Sequence, residues 1–190
     1  TIAANASNLA CSGTTPNNGA FNSASLTGNS SGTDTGCGPI PNVIIDKSDP
    51  TIAALGGGQF RATYLVTVTN TGAATGVYTL TDTPNFPGTG VTLNQLDATT
   101  TGGALGTLPV NSPVNGATQT ISAAGVNIAV GTSHTYSVKI TFTVASNATN
   151  LSCSGVTPNN GAFNSASITG TSSRSDTGCG PIPNVTIDKS

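Results

Sequence analysis

Residues 133–146 read SHTYSVKITFTVAS, and in them Tyr136, Val138, Ile140, Phe142 and Val144 alternate with Thr135, Ser137, Lys139, Thr141 and Thr143. Side chains of a strand point in turn to its two faces, so this period of two predicts a half-buried β-strand. The pattern returns outward along the chain. In FRATYLVTVTNTG (60–72) it places Tyr64, Val66 and Val68 together, and in VYTLTDTP (77–84) Tyr78 and Leu80. Strands are also expected at VIIDKS (43–48), VTLNQLDA (91–98), ATQTISA (117–123) and AFNSASITG (162–170). Seven to nine short strands, separated by Gly, Pro and Asn, fit an all-β chain folded as a two-sheet β-sandwich.

Composition points the same way. Of 190 residues 33 are Thr, 20 Ser, 19 Asn and 24 Gly, with no Glu, Met or Trp and only 6% charged. Thr favours strands and Gly, Asn and Pro favour turns, while helix formers are scarce. A net charge of −2 offers no basic patch for phosphates, which argues against a nucleic-acid partner. No apolar run is long enough to span a bilayer, so no transmembrane contact is expected in this stretch. Residues 1–20 lack the basic start and apolar block of a signal peptide.

The chain also repeats itself. Residues 1–48 align with residues 143–190 without a gap, at 38 of 48 identical positions and a constant offset of 142. The simplest expectation is a window on a longer tandem array, with any export signal far upstream. The repeat unit is taken as residues 43–184, with 1–42 the end of a preceding unit and 185–190 the first strand of a following one. In a structure of an assembled fibre, residues 1–42 are expected to pack on residues equivalent to 43–142 of a neighbouring copy; found within such a fibre as an isolated, solvated tail, they would count against a polymer. The joints are CGPIPN at Cys37 and Cys179, where two prolines around one Ile hold the chain extended and stiff.

Cys11 and Cys37, and Cys153 and Cys179, are each 26 residues apart at equivalent places in the repeat, which predicts one disulfide per copy. A bond closing such a loop contributes about 3–4 kcal/mol and persists mainly outside the cytosol. Zinc is the rival, but His134 is the sole His and no CxxC occurs. Sequons at Asn5, Asn29, Asn147, Asn150 and Asn184 make glycans candidate partners, although a chain so rich in Thr and Asn produces such triplets by chance.

The run ATYLVTVTNTGAATGVYTLTDTP, preceded by IIDKS and followed by IAVGTSHTYSVKITFTV and AFNSASITG, resembles the bacterial surface repeat called domain of unknown function 11, an immunoglobulin-like module. TDTP stands at the turn that family writes as DTLP, and AVGTSHTY at its penultimate corner. The resemblance covers most of residues 43–170; the TTTGGALGTLPVNSPVNGA stretch (99–117) and the cysteine-bracketed tail are additions. It implies an immunoglobulin-like two-sheet β-sandwich, in strings within large exported proteins of the cell surface, with no shared catalytic site.

Catalytic constellations find no support: there is no second His, no GxSxG, no phosphate-binding glycine loop and no DxDxDG run, so neither an enzyme nor a cofactor or metal is expected. His134, after GTS at the head of its strand, is expected to face outward as a solvated turn residue. One trio stands out. In NVIIDKS, Val43, Ile45 and Lys47 share a face; Ile44 becomes Thr186 in the second copy and is expected to face water, which turns Lys47 inward. By the same count Asp82 follows Tyr78 and Leu80 inward, and Asn164 lies with Ala162, Ala166 and Ile168. Buried Lys, Asp and Asn each need a partner. Some adhesin and pilus modules meet that need with a Lys–Asn isopeptide bond assisted by a carboxylic acid; the alternative is a Lys47 that reaches past the strand end and an Asp82 that caps the turn at Pro84. The functional expectation is a structural repeat of an exported bacterial fibre, filament, sheath or stalk, at the cell surface or outside it, its partners being copies of itself. The alternative is an adhesin or carbohydrate-binding module in a stalk, with residues 99–117 the one sizeable candidate loop and Tyr64, Tyr78 and Tyr136 committed to the core.

Overall fold

The structure, a computed structural model, describes residues 2–11, 18–153 and 158–184. The expected first strand of a following unit, 185–190, lies outside the described residues. Among those described every regular element is a strand and every pairing is antiparallel. A separate hairpin comes first: β1 (Ala20–Leu26) with β2 (Gly32–Gly38). The remaining strands form two sheets. The first is built on β3 (Val43–Lys47), β4 (Thr51–Gly56), β5 (Gln59–Asn70), β7 (Val91–Thr101), β8 (Val110–Asn111) and β11 (Ser133–Val144). Its order is β3-β5-β11-β7-β8, with β4 also on β5. The second holds β6 (Gly76–Pro84), β9 (Gln119–Thr120), β10 (Val126–Ile128), β12 (Ala162–Gly170) and β13 (Arg174–Gly180), in the order β10-β6-β12-β13 with β9 on β6.

The alternation seen in the sequence becomes the core. Tyr136, Val138, Ile140 and Phe142 of β11, Tyr64, Val66 and Val68 of β5, and Tyr78 and Leu80 of β6 are all fully buried, in one cluster shared by the two sheets. Phe142 packs between Phe60, with centroids 5.8 Å apart, and Phe86, edge-on at 5.1 Å. All three Tyr rings lie in the core, as the sequence led one to expect.

Residues 43–184 carry eleven strands rather than seven to nine, and the extra ones have physical causes. β3 and β4 are two halves of one edge beside β5, broken at Ser48–Pro50 because Pro50 has no N–H to give a ladder. The turn from β4 to β5 runs through Gly56, Gly57 and Gly58, all at positive φ, a conformation open to Gly at little cost. β8 and β10 are only two and three residues long, too short for any period to register, whereas β9 falls within the strand expected at 117–123.

His134 is a correction. It is buried, not a solvated turn residue, and its Nδ1 shares a 2.8 Å hydrogen bond with the Tyr78 hydroxyl, which is also 2.8 Å from that of Tyr136. The parity of 134 is that of 136, so the alternation itself carries the ring inward. Burial pushes the imidazole down and both phenols up from their ordinary values, so the trio is held neutral. Ile44 is half-buried rather than in water.

The segment 99–117 lies along the body. Gly106 N–H donates to Ile121 O, Ser112 N–H to Asn94 O, and Asn115 bonds both the N–H and the C=O of Phe86. The joint before β3 is likewise fixed. Asn42, fully buried, receives Arg174 on its Oδ1 and donates through its amide to Thr71 and Ala4 O, while Arg174 also reaches Ile2 O. Gly72 sits so close that a Cβ there would meet the backbone of Pro41 and Asn42.

Candidate functional site

Lys47 ends β3, on the edge where β3 lies against β12 and β13 of the other sheet. Its backbone N–H donates to Asp176 Oδ2 at 2.7 Å, which pins the end of β3 to β13. Register then places the rest. Asp176 pairs with Ala166 across β13–β12, and Ala166 pairs with Asp82 across β12–β6. Asn164, two residues before Ala166, shares its inward face and is diagonal to Asp82.

The Lys47 side chain therefore enters the core above that row. Its Nζ lies 2.9 Å from Asp82 Oδ1, with both side chains wholly sealed from solvent. It also stands 4.4 Å from the centroid of the Tyr64 ring. The Tyr64 hydroxyl donates to Ala162 O at 2.7 Å, and burial followed by the nearby Asp82 raises its ionisation well above the ordinary phenol range. Tyr64 is thus a fixed, neutral wall that ties β5 to the start of β12.

The three inward residues expected from the alternation are brought together, and Lys47 does not reach past the strand end to water. What the sequence could not announce is how incomplete their bonding is. Asp82 Oδ2 and both side-chain polar atoms of Asn164 are buried with no hydrogen-bond partner. A buried polar group left so costs about 1–3 kcal/mol, and native cores hold few of them. Here all three belong to Asp82, which holds the Lys47 amine, and to Asn164, diagonal to it across β6–β12.

Both expected disulfides are formed, Cys11–Cys37 and Cys153–Cys179, with Cα atoms 5.8 and 5.9 Å apart. Such bonds belong to an oxidising compartment. No helix among the described residues is long and apolar enough to cross a membrane. Asn5, Asn29, Asn147, Asn150 and Asn184 are all exposed, though the Thr of the last sequon lies outside the described residues. No protein-family model, curated protein or solved structure matches this chain.

Proposed function

We propose that this chain is a structural repeat of an exported surface fibre or stalk: an immunoglobulin-like sandwich whose use lies in being strung end to end with copies of itself. One observation carries this reading. β1–β2 has the register of β12–β13, residue for residue at the offset of 142, yet no described strand covers it. Ala162, Asn164, Ala166 and Ile168 are buried in the core, whereas Ala20, Asn22, Ala24 and Leu26 are exposed, Leu26 by 63%.

The glycines add to it. A Cβ on Gly178 or Gly180 would strike Ser48 or Pro50, and one on Gly170 would strike Val77 O. At the equivalent Gly36, Gly38 and Gly28 a Cβ would meet open space. β1–β2 therefore has the shape of a closing hairpin without a body to close. A second copy of the body, with the sequence of residues 43–142, supplies what its bare face fits, and a string of such units follows. The lone hairpin is solvated in the single chain, where no such body is present to cover it.

The stiff joint suits a string, since Asn42 and Arg174 clamp the linker to the unit that follows it. The segment 99–117, the one sizeable candidate loop for an adhesin site, is hydrogen-bonded down along the body. The test is a chain in which a second copy of residues 43–142 is placed directly ahead of Thr1. Amide exchange of residues 20–38 is expected to slow to the level of residues 162–180. Exchange as fast as in the single chain would overturn the reading.

A further inference from the structure

We infer that Lys47 and Asn164 become joined by an amide bond that the folded chain makes for itself, with Asp82 as the acid that promotes it. The inference concerns one unit and stands whether or not units are strung together.

The arrangement supplies each requirement of the reaction. An amide side chain is a poor electrophile, so attack on it needs a neutral amine held beside it and an acid able to protonate both the developing oxyanion and the departing nitrogen. Moving one proton along the 2.9 Å contact from Lys47 Nζ to Asp82 Oδ1 generates the amine and the acid together, with no change of net charge in the core. A buried ion pair must give up the hydration of both ions, and a neutral pair escapes that cost. Water, the competing nucleophile, is excluded, because all three residues are sealed within the sheets.

The step balances as follows. The Lys47 Nζ lone pair attacks Asn164 Cγ, and the carbonyl electrons move to Oδ1, which the Asp82 carboxyl proton stabilises. A proton passes from Nζ through Asp82 to Nδ2. The Cγ–Nδ2 bond then breaks, ammonia leaves, and a secondary amide remains between Nζ and Cγ, with Asp82 again carrying its proton. No oxidant or cofactor is needed.

The product also explains the orphaned atoms. Asn164 Nδ2 is gone as ammonia. Asn164 Oδ1 becomes the carbonyl oxygen of the new amide and accepts from a protonated Asp82 Oδ2, while the amide N–H at Nζ keeps its donation to Asp82 Oδ1. All three unpartnered atoms at this place are thereby accounted for. The bond ties β3, the first strand of the unit, to β12, which opens its closing hairpin.

The test is the intact mass of the unreduced chain. It is expected to fall about 17 Da, one ammonia, below the mass of the sequence with two disulfides, and digestion should give a branched peptide joining the Lys47 and Asn164 segments. Lys47→Arg, Asn164→Ala and Asp82→Asn are each expected to restore the full mass. Should a variant fail to fold, the parent chain alone decides. An unshifted mass overturns the inference, and so does a loss that survives in Lys47→Arg, which would place the ammonia loss at another Asn.

Discussion

Asn164→Leu is expected to destabilise the unit by about 5 kcal/mol, because a bond from Lys47 to Asn164 closes a loop of 117 residues (164 − 47) and removes the corresponding chain entropy from the unfolded state. For a chain of this size that corresponds to a fall in Tm of about 10–20 °C. The sign is informative. Without the bond, the same substitution would delete two buried polar atoms that have no partners, each costing about 1–3 kcal/mol, and stability would hold or rise. Asn164→Ala guards against strain from the bulkier Leu and is expected to move Tm in the same direction. Calorimetry of the parent and both variants reads the result; a raised Tm in either variant would contradict the cross-link.

Replacing Cys153 and Cys179 together by Ser is expected to cost about 3.5 kcal/mol, a fall of about 7–14 °C in the main transition. Their bond braces a hairpin whose inward face is part of the core. The same change at Cys11 and Cys37 is expected to leave that transition where it is. The two loops are locally alike: Gly19 N–H donates to Asn8 O as Gly161 N–H does to Asn150 O, and Ile40 N–H to Leu9 O as Ile182 N–H does to Leu151 O. Only their surroundings differ, so an equal fall for both double variants in the single chain would mean that β1–β2 already belongs to the cooperative core. Placing a second copy of residues 43–142 ahead of Thr1 should then make Cys11 and Cys37 matter as much as the other pair.

Much of this was legible in the sequence because alternation reports burial directly. It placed the inward faces of β5, β6, β11 and β12, and with them Lys47, Asp82 and Asn164, since one residue's parity along a paired strand settles its side. His134 is hard to place from sequence because its neighbours Gly131, Thr132 and Ser133 suggest a turn, whereas its parity with Tyr136 carries it inward. The short strands β8 and β10 carry no period, and β4 is marked mainly by three glycines and by Pro50. The tail that forms β13, RSDTGCG, is polar and glycine-rich, so nothing in it speaks for a strand; tertiary pairing with β12 makes it one. The missing partners of Asn164 depend on the spacing of two sheets, which no local pattern encodes.

With the proposed cross-link, each unit passes load through a covalent bridge from its first strand to its closing hairpin. Stretching single molecules of the chain by its two ends tests this most directly. With the Cys153–Cys179 bond intact, the 106 residues from Lys47 to Cys153 (153 − 47) would extend by about 370 Å if released, at about 3.5 Å per residue. The bridge keeps them out of the line of force, so no step of that length is expected in the parent, and one is expected in Asn164→Ala. A parent chain that yields the full step of about 370 Å has no such bridge.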